Sequence, residues 1–186
     1  KFYQQIFSAY QSMMFIASGF LIVFVRLLSD IIIDTKTFDG YNTAYIYTPV
    51  LVIAVLMMCF NQFLSSIYSA TQKTSHSFWT ALVAAVVNIV LNYFLILKFG
   101  IMGAVVATFA SYFICYLIRI YDSRKLIYFK VSHFRFTVNL VCLFALSLMQ
   151  INSLEYRIPA SAVIYAFMII FNFKDILLTV KKILKK

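Results

Sequence analysis

FWTALVAAVVNIVLNYFLIL (Phe78–Leu97), KFG (98–100) and IMGAVVATFASYFICYLIRIY (Ile101–Tyr121) decide how this chain is read. Each long stretch is close to the roughly 20 apolar residues that an α-helix needs to cross a bilayer. The Lys98-Phe99-Gly100 link between them leaves room only for a tight hairpin. Working outward, four further apolar stretches follow the same rule: Ile6–Leu28, Ala44–Ala70, Phe134–Ile151 and Ile158–Phe173. With 63% apolar and 12% charged residues there is too little polar surface for a water-solvated domain of this size. The expected fold is an all-α integral membrane protein with six transmembrane helices (residues 1–173). A basic amphipathic helix over 174–186 follows, with Ile176, Leu177, Val180, Ile183 and Leu184 on one face.

The net charge of +10 is a topology signal. With the N-terminus inside, 12 of the 16 basic residues fall on cytoplasmic segments, among them Lys1, Lys73, Arg119 and the runs at 124–135 and 174–186. Arg26, Lys36, Lys98 and Arg157 fall outside. This bias predicts both ends in the cytoplasm, with the basic segments facing membrane lipids. No basic face on a soluble element points to nucleic acid. Lys1, in place of an initiator Met, suggests a piece of a longer protein. Cys59, Cys115 and Cys142 all sit inside apolar stretches without metal-ligand spacing.

Several polar side chains stand where hydrocarbon is expected. Arg26 is four residues from Asp30 on one helix face, which makes the two a candidate charge pair. An arginine at that depth otherwise lines a cavity or binds an anion. Asn61 and Gln62, with Ser65, Ser66 and Ser69, give the second stretch an unusually polar end. Asn88 and Asn92 share a face, with Tyr93 beside them. Such amides need a partner helix or a cavity. Arg26, Asn61, Gln62, Asn88, Asn92 and Tyr93 are therefore the candidate substrate-cavity residues. Lys73 and Arg119 are candidate contacts to headgroups on the cytoplasmic side. Gly103, Ala107 and Ser111 recur at intervals of four, a stripe along which helices approach closely. Pro49 predicts a kink in the second helix, and Phe38, Tyr41, Tyr45 and Tyr47 an aromatic belt. No nucleophile–base pair, phosphate loop or metal cluster is present in the sequence, so no cofactor is expected and an enzyme is disfavoured.

Taken in order, Tyr45–Pro49, Asn61–Thr74, Ala84–Asn92 and Phe99–Tyr112, closing on Arg119, resemble the C-terminal half of bacterial polysaccharide flippases. These belong to the multidrug/oligosaccharidyl-lipid/polysaccharide exporter superfamily. The resemblance is strongest over residues 41–125 and weakens in the last two stretches. It implies one six-helix lobe of a two-lobe transporter in a bacterial cytoplasmic (inner) membrane. The N-terminal lobe would lie outside this chain. It also implies a substrate, undecaprenyl-diphosphate-linked oligosaccharide, flipped during O-antigen, lipopolysaccharide or capsule synthesis. Polysaccharide polymerase machinery would be a further partner. Cavity cations would hold the diphosphate while the lobes rock between two states. Competing readings are a drug or metabolite antiporter lobe of the same superfamily, a membrane-embedded polymerase or other enzyme, and an assembly subunit without a substrate path.

Overall fold

The computed structural model describes residues 2–32, 43–129, 131–152 and 157–183. Among them the regular structure is helical: α1 (Phe2–Val23), α2 (Val25–Ile32), α3 (Ala44–Ala70), α4 (Thr74–Leu126), α5 (His133–Ile151) and α6 (Arg157–Ile183). The outer loop expected over Asp34–Asn42, with Phe38 and Tyr41 of the aromatic belt, lies outside the described residues.

Four helices are long and apolar enough to cross a bilayer (Tyr3–Val23, α3, α4 and α5), against the six expected from the sequence. The difference arises at two places. The apolar part of α6, Arg157–Phe173, is too short. The third and fourth expected stretches are joined without a loop into α4, a continuous 53-residue run that turns at Gly100 (φ 57°, ψ −134°), and are counted there as one.

That turn is a reversal. Eight residues of straight helix rise about 12 Å, yet a Cβ on Gly103 would lie 2.1 Å from the Leu95 carbonyl oxygen. Bonds across α4 follow the pairing of two antiparallel limbs. Asn88 donates to Ser111 Oγ (3.1 Å, 23 residues apart), and Arg119 donates to Thr80 Oγ1 (2.9 Å, 39 apart). His76 pairs with Asp122 (2.8 Å, 46 apart). Gly100 supplies the positive φ that an L side chain resists. Gly103 supplies the close approach.

The residues cluster into two compact units, 1–52 with 130–186, and 53–129, so the division falls inside α3 between Val52 and Ile53. In the first unit α1 packs on α5 and α6, and α5 on α6. Phe7, Phe15, Ile22, Leu143, Leu146 and Met168 are buried there, with Phe15 edge-on to Phe136 at 5.7 Å. The break at Phe24 keeps the hydrogen-bond ladder, since Phe24 N–H reaches Phe20 O (3.1 Å) and Leu28 N–H reaches Phe24 O (2.9 Å). The first apolar stretch therefore extends as α1 and α2 to Ile32. The expected separate tail helix is instead the continuation of α6, which runs unbroken to Ile183.

Asn139 and Asn172 exchange both amide bonds (3.1 and 2.7 Å) and are each 2% exposed. A lone Asn139→Leu leaves the Asn172 amide short of a partner, at about 1–2 kcal/mol judged from measured interhelical bonds in membranes. Replacing both by Leu is expected to be nearly neutral. A double-mutant cycle in detergent-based unfolding measures this; additive costs would refute the pairing.

In the second unit, Ile53, Met57, Phe60, Leu64 and Ile67 of α3 are buried, and Phe60 meets Tyr116 at 5.8 Å. The buried stripe of α4 includes Gly103, Ala107, Ser111 and Cys115, and small residues along it let the helices close up. The first limb exposes Leu82, Val86, Ile89, Val90, Tyr93 and Leu97. A contiguous apolar face of this kind suits hydrocarbon and not water.

Candidate functional site

Within the second unit, α3 and the α4 hairpin enclose a cleft of about 480 Å³. Asn61, Gln62, Asn88, Ser111, Tyr112 and Arg119 are among its walls. Asn61 comes from α3, Asn88 from the first limb of α4, and Ser111 and Arg119 from the second. The antiparallel pairing is what brings them together. Asn61 Nδ2 donates to the Tyr112 carbonyl (2.9 Å). Asn92 Nδ2 donates to Asn88 Oδ1 (2.9 Å), and Asn88 in turn donates to Ser111. The i, i+4 pair seen in the sequence is thus a relay across the hairpin.

Arg119 is 6% exposed. Its Nε donates to Thr80 Oγ1 (2.9 Å) and Nη1 to the Asn61 carbonyl (2.7 Å). Nη2 donates to the Ser77 carbonyl (3.0 Å) and Ser77 Oγ (3.3 Å). All four acceptors are neutral. A guanidinium has five N–H donors, so at least one remains for a further acceptor. A buried charge is stabilised only in part by neutral dipoles, and in a low-dielectric wall the residual positive field is felt strongly by an anion. Asn61 Oδ1, also buried, has no hydrogen-bond partner among the described residues. The cleft walls thus hold a cation and a bonded amide relay, with the Asn61 Oδ1 acceptor buried behind them.

The other sequence candidates are placed differently. Arg119, expected at headgroup level, is buried inside the second unit. Lys73 is exposed in the turn between α3 and α4, and its N–H bonds the Tyr68 carbonyl (2.9 Å). Tyr93 is 67% exposed and meets Phe94 edge-on, away from the cleft walls. Arg26 and Asp30 belong to the first unit. Arg26 donates to the Gln150 carbonyl (2.8 Å) and lies 4.6 Å above the Tyr45 ring; Asp30 on α2 is exposed. Arg26 thus reaches two other helices besides its own.

Sequence reasoning missed Ser77 and Thr80 as Arg119 acceptors, and Asp122 as the partner of His76. The signal was available: residues equidistant from the Lys98–Gly100 turn must face one another once it is a hairpin. At the open end of that hairpin the His76–Asp122 pair lies under Tyr68, whose ring stacks on His76 at 5.9 Å. Among the described residues no group of three His, Cys, Asp or Glu side chains converges as a metal site, and all three cysteines are free thiols.

No protein-family model, curated protein or solved structure matches the chain.

Proposed function

We propose that this chain is one lobe of a bacterial membrane transporter that flips diphosphate-linked oligosaccharides for surface polysaccharide synthesis. The observation that carries this reading is Arg119: a buried guanidinium, bonded only to neutral oxygens, in the wall of a polar cleft between apolar helices. Its uncompensated charge suits a diphosphate, and its remaining N–H suits a phosphate oxygen. Gln62, in the cleft wall, would meet the sugar's wetter side. The polyprenyl tail would stay in lipid beside the exposed apolar face of α4. A second lobe would complete the cavity, and rocking of the two would expose it to each side of the membrane.

Complementation tests the reading. The full-length gene is expressed in cells lacking their own polysaccharide flippase, and surface polymer is scored with membrane abundance checked by blot. Wild type is expected to restore polymer. Asn88→Leu, which breaks the relay to Ser111 and Asn92, is expected to reduce it about tenfold at equal abundance, in line with loss of one or two buried hydrogen bonds. A well-expressed wild type that restores no polymer in several recipients would sink the proposal; drug resistance in the same cells would favour the antiporter reading.

A further inference from the structure

The open end of the α4 hairpin, where the two limbs begin and end, carries a groove of about 710 Å³. That volume lies within the range of small-molecule sites, about 300–1,000 Å³. His76 of the first limb and Asp122 of the second meet in it, Nδ1 to Oδ2 at 2.8 Å. Trp79 lines it from the first limb. Leu117, Tyr121 and Lys125, four residues apart and so in one row, line it from the second. All of these residues belong to one compact unit.

The groove joins opposite charges to an apolar slope. Trp79, Tyr121 and Leu117 are exposed. At the end of a helical pair long enough to cross a bilayer, aromatic side chains stand at the level of the headgroups. Leu117 lies about 12 Å along the helix from Lys125, at the depth of the first acyl carbons. An aromatic belt alone needs no acid among its rings. Here Asp122 is held in place: its Oδ2 meets His76, whose ring stacks at 5.9 Å on the buried ring of Tyr68. An ionised carboxylate has about four acceptor positions, so the bond to His76 leaves capacity for a further donor. Lys125 is exposed, one helical turn from Asp122, with its Nζ 5.1 Å from the centre of the Tyr121 ring. An acid and a base one turn apart, beside exposed rings and above an apolar wall, match a ligand that carries both signs of charge and an apolar tail.

We propose that this groove seats one phospholipid with a zwitterionic headgroup and a primary ammonium, a phosphatidylethanolamine. Its phosphate pairs with Lys125, its ammonium donates to Asp122 beside the Trp79 and Tyr121 rings, and an acyl chain runs past Leu117. The two headgroup charges are joined by a short two-carbon bridge, which suits side chains one turn apart. An anionic headgroup would satisfy Lys125 but set negative charge against Asp122. A choline headgroup carries both charges but has no N–H to donate to the carboxylate. The inference needs only that the hairpin crosses a membrane. It is independent of the proposed transport, because the groove shares no wall residue with the Arg119 cleft.

Trp79 is the single tryptophan of these 186 residues and supplies the readout. Full-length protein is reconstituted into vesicles of phosphatidylcholine brominated on its acyl chains, which quenches a neighbouring indole. The same measurement on Trp79→Phe is subtracted, leaving the Trp79 signal. Unbrominated phosphatidylethanolamine, phosphatidylglycerol or phosphatidylcholine then competes, and relief of quenching gives the affinity of each relative to the brominated lipid. Phosphatidylethanolamine is expected to bind about fivefold more tightly than the other two, the scale of one partly exposed ion pair. Asp122→Asn is expected to abolish that preference. A wild-type ranking that does not place phosphatidylethanolamine first overturns the inference. So does a folded Asp122→Asn that keeps the wild-type preference. Should the variant fail to fold, the wild-type ranking of the three lipids decides by itself.

Discussion

Gly103→Ala is expected to disrupt the α4 hairpin, while Gly100→Ala leaves it largely folded. The order runs against intuition, because Gly100 is the residue with the unusual backbone. At φ 57° and ψ −134° an alanine is strained, at about 1–3 kcal/mol. Its Cβ would meet nothing within 4 Å, however. At Gly103 the torsions are helical, but a Cβ would sit 2.1 Å from the Leu95 oxygen and 2.4 Å from its carbonyl carbon. Both are backbone atoms and cannot rotate aside as a side-chain tip would. The two limbs must separate, which breaks the pairing that brings Asn88 to Ser111 and Thr80 to Arg119. The cost is expected at or above the top of the overpacking range, about 3 kcal/mol. Unfolding in mixed micelles, followed by circular dichroism, ranks the two variants. A Gly100→Ala more damaging than Gly103→Ala would contradict the close approach described here.

Arg119→Met is expected to separate structure from function. The substitution removes four hydrogen bonds to the guanidinium. It also removes the burden of burying a charge, which replacement by an apolar side chain of similar length commonly offsets. Two of the four acceptors are backbone carbonyls. A net loss of stability of about 1–2 kcal/mol follows from that balance. Surface polymer in the complementation assay is expected to fall about a hundredfold or more, since the remaining cleft attracts no anion. Arg119→Lys keeps the charge but not the fork that reaches Asn61, Ser77 and Thr80 at once. It is expected to be less stable than the Met variant, because its ammonium stays buried with fewer acceptors. Full polymer export by a stable Arg119→Met would remove this residue from any role in substrate binding.

The hairpin was legible in the sequence because two signals agree there. The Lys98–Gly100 link is short, and the Gly103, Ala107, Ser111 stripe marks a packed face. The Asn88–Asn92 pair was legible because helical spacing alone brings residues four apart together. Arg119 was not. Charge counting assigns a basic residue near the end of an apolar stretch to the cytoplasmic surface, and it has no knowledge of the oxygens on the facing limb. Arg26 shows the same gap: its acceptor at Gln150 is 124 residues away. The number of long apolar helices was misjudged at α6, whose apolar part, Arg157–Phe173, is shorter than a span needs. The two compact units left no trace either, because their division falls inside α3 without a proline- or glycine-rich linker.

The direction of the Arg119 bonds has a consequence for how the protein is made. Asn61, Ser77 and Thr80 all precede Arg119 in the chain, so each acceptor leaves the ribosome before the charge that needs it. A translocon releasing α3 and the first limb of α4 presents a ready oxygen cluster to the second limb as it emerges. The most costly side chain in the hairpin is then accommodated on arrival, by acceptors 39 to 58 residues upstream that are already in place. Reversing that order, by circular permutation that places the second limb first, would ask the membrane to accept a bare guanidinium.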